Sequence, residues 1–511
     1  MSTVWRRWKP EPALRRKRFR MGVAVADPTN RLPLRGVQGP HAFEMAPEIA
    51  DEIRADGVRG IAAAPIGASK RRLTIGMPQS DLLLMAAWSA IGIATATNYG
   101  NYSASSVVLV TLGVFLLTVT ITRRLVPNGA RNSAMNGRWL GVGTAILAAV
   151  ALPAGVYGSG ADLYSSRLLT AAAALIVATW LILRLPKARG AAYVVVAIMT
   201  VAGIAMLLAS PKPVIDVWYM LQAAGHGLSH GHNIYTLKWT GDIPGEVSNR
   251  FVYLPGSAVL LWPFHILFGD VRYGLLAAMA ITGVLLIRVS KKSESALLAC
   301  LFLLYPRFLF GLEQSWVDPL SLLALCLTGY CVMRGRKGWA VVAFAVALSC
   351  KQYNWLIIPF AAMWSDFGWR RTTLSVGGAS LFVLPWAVAD VHAFVSGSFS
   401  YLFDSTPRLD SLSLYTTILR HGIDPGSSLT VVGIGSVIAL SMWRLPRDTY
   451  GFFVGSAAVI AVYDLFNKLS YYNAWSFAGG LALFAVVFGR ASQVALEEGA
   501  ESLDLVEERT S

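Results

Sequence analysis

Apolar runs of membrane-crossing length, joined by short polar connections, occupy most of this chain and leave it few folds. Runs at about 80–98, 104–122, 139–157, 166–184 and 192–210 follow one another, each close to the ~20 residues a helix needs to cross ~30 Å of hydrocarbon. In lipid the backbone N–H and C=O groups must pair within the protein, so such runs become helices. Composition agrees: 55% of residues are hydrophobic and 14% charged, against about 25% charged in a soluble domain. The expectation is an all-α, multi-pass transmembrane helix bundle. No dinucleotide fingerprint, P-loop or HExxH motif points to a soluble catalytic domain. Cys300, Cys326, Cys331 and Cys350 all fall inside apolar runs, with no CxxC. That speaks against a disulfide framework or a thiolate metal site.

A net charge of +15 would suggest nucleic acid in a soluble protein. Here Lys and Arg gather in short loops between apolar runs, the positive-inside pattern, and no nucleic-acid partner is expected. The segments 123–138, 184–190, 288–292, 334–337, 369–371 and 444–447 are basic, whereas NYGNY and GSGADLYSS are not. Placing the basic loops in the cytoplasm puts both termini inside a cell-membrane protein. Residues 1–78 read as a basic, unstructured tail, with Met45 and Met77 as further in-frame starts and Glu48–Arg54 as a short helical stretch. Residues 79–191 hold extra N-terminal helices, 192–490 the core, and 491–511 an acidic cytoplasmic tail. Phe251–Phe268, with two prolines and many aromatics, reads as a helix lying in the outer interface. Runs at 271–289, 295–311, 316–333, 372–389, 427–443, 449–465 and 473–489 cross, and 339–364 is a pair of short helices meeting around CKQYN. The tally is about fourteen crossings, with outer loops at 211–270 and 390–426.

This topology gathers polar groups on the outer face. Asp216 lies just past the run ending at Ser210, in a stretch that carries His226, His230 and His232. Arg250, Tyr235, Tyr253, Glu313, Asp318, Lys351, His392, Arg408, Asp410, His421, Lys468, Tyr471 and Asn473 join them. Two roles are open to Asp216: a general base, or the cap of a helix starting at Val217. Lys351 and Lys468, at helix ends near the surface, are placed either to bind a lipid phosphate or to snorkel. Glu313 and Asp318 are open to capping. Glycines dominate the HGLSHGH spacing and no Cys or carboxylate is interleaved, so a solvated loop is expected there rather than a metal site.

Several segments resemble the GT-C glycosyltransferases, in particular the polyprenyl-phosphate-sugar-dependent mannosyl- and arabinofuranosyltransferases of bacterial envelopes. They are Asp216 followed by Ala223, Ala224 and GHNIY (231–235); Tyr253, Pro255 and Pro263; ALSCKQYNWLIIPF; TPRLDSLSLYTTIL (406–419); and NKLSYYNAW. The resemblance covers roughly residues 192–490. It implies an inverting transfer of a sugar, mannose foremost, from a polyprenyl-phosphate donor to an envelope glycolipid or glycan on the outer face. Asp216 would be the base, and Lys351, Lys468 and Arg250 would hold the donor phosphate. His232, Tyr235, Tyr253, Glu313, Asp318, His392, Tyr471 and Asn473 would line the substrate. The resemblance implies no metal and no cofactor beyond the lipid-linked donor. The additional helices before residue 192 and the histidine-rich loop depart from the family pattern. The rival readings are a polyprenyl-lipid transporter or flippase, and a non-catalytic lipid-binding envelope subunit.

Overall fold

A computed structural model describes residues 79–122, 142–143, 145–146, 152, 155–183, 185–238, 250–290 and 293–510. The N-terminal tail, the basic loop at 123–138 and most of the run at 139–157 lie outside the described residues. Among the described residues the chain is helical, with a single isolated bridge between Asn101 and Ser411.

Among the described residues eight helices are long and apolar enough to cross a membrane, so this is a membrane protein. Helix α1 (Gln79–Thr97) and α2 (Ala104–Thr122) precede α3 (Gly160–Leu183) and α4 (Ala188–Ala209). Helices α5 (Asp216–Ser229) and α6 (Pro255–Phe268) come next, then the span α7 (Arg272–Val289). The run read as one span over 295–311 is broken: α8 (Ser293–Ala299), a 3-10 turn over Cys300–Phe302, and α9 (Phe308–Glu313). Pro306 lacks the N–H that a continuous helix needs, and Arg307 adopts φ 59°, which turns the chain. Helices α10 (Asp318–Met333) and α11 (Lys337–Cys350) are shorter and apolar. After Lys351 come a 3-10 turn (Gln352–Ile357) and α12 (Ile358–Met363), so 339–364 divides at CKQYN as its lysine suggested.

The spans α13 (Gly368–Ala389), α17 (Gly426–Arg444), α18 (Thr449–Phe466) and α19 (Tyr472–Thr510) complete the bundle. Between α13 and α17 the stretch read as a loop is largely helical, with α14 (Val391–Val395), a π turn (Ser396–Ser400), α15 (Tyr401–Asp404) and α16 (Leu414–Arg420). The acidic segment 491–510 continues α19 as helix. Burial separates centre from flank: the apolar windows of α18 and α19 are 83% and 89% buried, those of α13 and α17 only 17% and 11%. Leu381, Val431 and Trp443 on these flanking helices are exposed, as suits surfaces solvated by lipid tails.

Hydrogen bonds sort the connections into two ends. At one end Tyr102 N donates to Asp410 O (2.8 Å), Ser159 N to Ala209 O (3.2 Å) and Leu412 N to Ser470 O (2.7 Å). Gln352 Nε2 donates to Val252 O and Ser398 O, both at 2.8 Å. At the other end Arg189 meets Ser290 O, Ser365 Oγ donates to Arg447 O (2.7 Å), and Arg490 pairs with Asp81 (3.2 Å). Arg189, Ser290 and Arg447, from three of the basic connections, thus lie at the end opposite Asp216. Helix α6 starts and finishes at the Asp216 end: Gln352 holds Val252 before it, and Gln222 Nε2 donates to Gly269 O (2.8 Å) after it. It therefore lies along that end rather than crossing. A Cβ on Gly256 would collide with the Oγ and carbonyl of Ser349; only glycine lets α6 pass over the end of α11.

Candidate functional site

Asp216 opens α5 directly after the proline-punctuated linker that leaves α4. It is the first helical residue, not the cap: the N-cap is Ile215, and Asp216 Oδ1 accepts the adjacent Val217 N–H (2.8 Å). The carboxylate is half-buried. Burial raises its pKa above the usual 3.8, while the Val217 N–H and the charge of Arg408 pull it part of the way back. The phenols of Tyr157, Tyr253 and Tyr401 all lie in its field. Each is held protonated first by burial and then in part by the Asp216 charge. A half-buried carboxylate in the field of phenols and a guanidinium can take a proton from a hydroxyl.

A second cluster forms around Lys351. Its Nζ donates to Asp318 Oδ1 (2.9 Å) and Oδ2 (3.1 Å), and both side chains are buried. Tyr353 Oη also donates to Asp318, and Asn473 Nδ2 approaches its Oδ2 at 3.3 Å. The ammonium stands 4.4 Å from the centre of the Tyr353 ring and 5.6 Å from that of Tyr253. Lys351 therefore spends its charge on an internal carboxylate; a phosphate there would have to displace Asp318. Asp318 in turn anchors a lysine and is not merely a helix cap. Asp464, fully buried and without a hydrogen-bond partner for either oxygen, lies within electrostatic reach of both. Beside Asp318 and Asn473 is a cavity of ≈ 30 Å³ walled by Trp88, Tyr305, Trp316 and Tyr472. It has room for a water or two, too little for a sugar or a prenyl chain.

The remaining cations differ in what they touch. Arg408 makes a two-pronged pair with Asp410 (3.0 and 2.7 Å), and Tyr471 Oη donates to the same carboxylate (3.1 Å). Burial works against that carboxylate, but Arg408 and Tyr471 more than offset it, so its pKa falls below the usual value. Arg250 and Lys468 bond to uncharged acceptors, Ser396 Oγ (3.2 Å) and Phe403 O (2.6 Å), which leaves their charge available to an anion.

Tyr235 is buried and donates to Tyr253 O (2.8 Å), so it shapes the Tyr253 turn. His232 and His392 are exposed and make no side-chain hydrogen bond among the described residues. The His226 and His230 rings lie tilted against each other at 4.3 Å between centroids, and those of His230 and His232 stack at 6.1 Å. No group of His, Cys, Asp or Glu among the described residues is arranged to hold a metal. The stretch Gly227–Gly231 also spells G-x-S-x-G, the letters of a nucleophile elbow. That motif requires a strand-to-helix turn. Here Ser229 closes an α-helix, with Oγ donating to Gly225 O (3.1 Å) and accepting from Trp262 Nε1 (2.9 Å).

Sequence reasoning missed Arg272, Tyr157, Tyr353 and Tyr401. Fully buried Arg272 pairs with Asp270 (2.6 Å) and donates to Ser210 O (2.8 Å) and Oγ (3.2 Å), fixing the linker that leads to Asp216. Its signal was an arginine at the mouth of an apolar run; Tyr353 lay two places from Lys351. Comparison with protein-family models, curated proteins and solved structures finds no match for this chain.

Proposed function

We propose that this membrane protein is an inverting glycosyltransferase that moves a sugar from a polyprenyl-phosphate donor to an envelope glycolipid or glycan, with Asp216 as general base. The observation that carries the reading is the half-buried Asp216 carboxylate, set at the end of a membrane-length helix among phenols and a guanidinium. A lipid-linked phosphosugar would present its anomeric carbon at that depth. Asp216 takes the proton of the acceptor hydroxyl, and the hydroxyl oxygen forms a bond to the anomeric carbon. The bond from that carbon to the phosphate oxygen breaks, and the polyprenyl phosphate leaves as an anion. One displacement inverts the anomeric centre. Arg250 and Lys468 are assigned to the donor phosphate, because their present partners are uncharged. Lys351 is assigned instead to holding Asp318 and the Tyr253 face of the site. The resemblance of residues 192–490 to the envelope enzymes supplies the donor class and favours mannose. The charge pattern supplies the outer-face location.

The test is sugar transfer from a polyprenyl-phosphate donor in membranes holding equal amounts of wild type and Asp216→Asn. The variant should lose on the order of 10²-fold or more in turnover; near-normal transfer removes Asp216 from the reaction.

A second reading, movement of a prenyl lipid across the bilayer, draws on Asp464. A buried unpaired acid in a span is a feature of coupled transport. Lipid movement that persists without any sugar transfer would favour it.

A further inference from the structure

Glu313 is fully buried, and its carboxylate is spent on three consecutive backbone N–H groups. Val156 N donates to Oε2 (2.9 Å), and Tyr157 N (2.9 Å) and Gly158 N (2.7 Å) donate to Oε1. Burying a carboxylate is costly unless it is hydrogen-bonded, and bonds to a charged acceptor are the strong ones. Glu313 therefore does not cap its own helix. It ties α9 of the core to the turn at 155–159 that ends the segment before α3. A second tie lies next to it: Ser159 N donates to the carbonyl of Ala209, the last residue of the helix that leads to Asp216. Gly158 fits closely between the two anchors, since a Cβ there would lie 3.3 Å from Glu313 Oε1 and 3.5 Å from the Ala209 methyl. The turn is thus pinned beside the Asp216 linker, with half-buried Tyr157 at its centre. The Tyr157 phenol lies in the field of both carboxylates, Glu313 and Asp216.

We propose that Tyr157 is an acceptor-binding residue of the Asp216 site, contributed by the N-terminal helices, and that Glu313 is the positioning residue that clamps its turn in place. The ligand class is a glycan hydroxyl. A tyrosine offers an apolar ring to a sugar face and a hydroxyl that can donate to, or accept from, the sugar. Its turn is tied to the end of the helix that leads to the group that deprotonates the acceptor, so it selects acceptor rather than donor. This inference rests on the transferase reading above.

Two measurements test it on the full-length protein. Hydrogen exchange at the amides of Val156, Tyr157 and Gly158 should speed up by roughly 10-fold or more in Glu313→Gln, which loses the charge on the acceptor; unchanged protection overturns the clamp. In the transfer assay, Tyr157→Phe should raise the acceptor KM roughly 3- to 10-fold, the worth of one hydrogen bond. The donor KM should stay unchanged, and Glu313→Gln should show the same split. A merely structural role would lower stability and kcat without selecting between substrates. Active wild type with a kinetically silent Tyr157→Phe overturns this inference and leaves the Asp216 reading standing. Wild type that transfers no sugar overturns both.

Discussion

Replacing Lys351 by methionine separates two roles that a buried lysine at a helix end can have. The substitution keeps the length and apolar stem of the side chain and removes the ammonium. In the structure that ammonium pairs with both oxygens of Asp318 at 2.9 and 3.1 Å, with the two side chains 9% and 2% exposed. Breaking a buried pair from one side costs about 3–5 kcal/mol, because the remaining charge keeps its desolvation penalty without its partner. The cost here belongs at the upper end, since Asp464 adds a second buried carboxylate with no hydrogen-bond donor. Asp318→Asn should cost less. The lysine it strands still has Asp464 within electrostatic reach, and Asn can keep accepting from Tyr353. The double variant should be more stable than Lys351→Met alone, because the two losses share one interaction. The assay is thermal unfolding of the three variants in one detergent, with donor binding measured on the same samples. Lys351→Met should unfold several degrees below wild type. A variant of wild-type stability with weakened donor binding would refute the argument and put the lysine on the phosphate.

Other predictions follow from the same geometry. Burial raises the Asp216 pKa above 3.8, so its protonated form is favoured in the folded state. Its stabilising contribution is present below pH 3.8 and is lost as pH rises through the folded value. At neutral pH Asp216→Asn should therefore match or exceed wild type in Tm while losing transfer, and the acid limb of the wild-type pH profile should lie above 3.8; a clear drop in Tm would contradict this. Asp464→Asn removes a fully buried acid whose two oxygens have no hydrogen-bond partner and should raise Tm with transfer within a few-fold of wild type; abolished transfer would place that acid in the reaction. A cysteine at exposed Asp404 should react with an impermeant maleimide on intact cells, whereas one at Arg447, at the opposite end of the bundle, should react only after permeabilisation. The reverse pattern would invert the topology.

Much of the fold is local and was legible in residue order. Helices at Ala104–Thr122, Ala188–Ala209, Arg272–Val289, Gly426–Arg444 and Thr449–Phe466 fall within a few residues of the apolar runs that announce them, because in lipid the backbone pairs within each helix. The charge of the loops likewise separated two ends that the hydrogen bonds then gathered. Breaks were harder. Pro306 and Arg307 interrupt a run that hydropathy reads as continuous, because the residues around the turn are as apolar as those of a helix. The helical pieces at 391–404 are only four or five residues each, too short to show a helical period, and no membrane-length run marks them.

The sequence by itself determined that Asp216 stands at the end of a membrane helix, in company with cations and tyrosines on the same side of the bundle. Only the tertiary structure decided which charges are already committed. Lys351 meets Asp318 across 33 residues, and Glu313 meets Tyr157 across 156. Periodicity and hydropathy report which face of a helix is apolar, but not which helix will pack there. Whether a lysine is a free cation or half of a buried pair depends on that neighbour, and so does its chemistry.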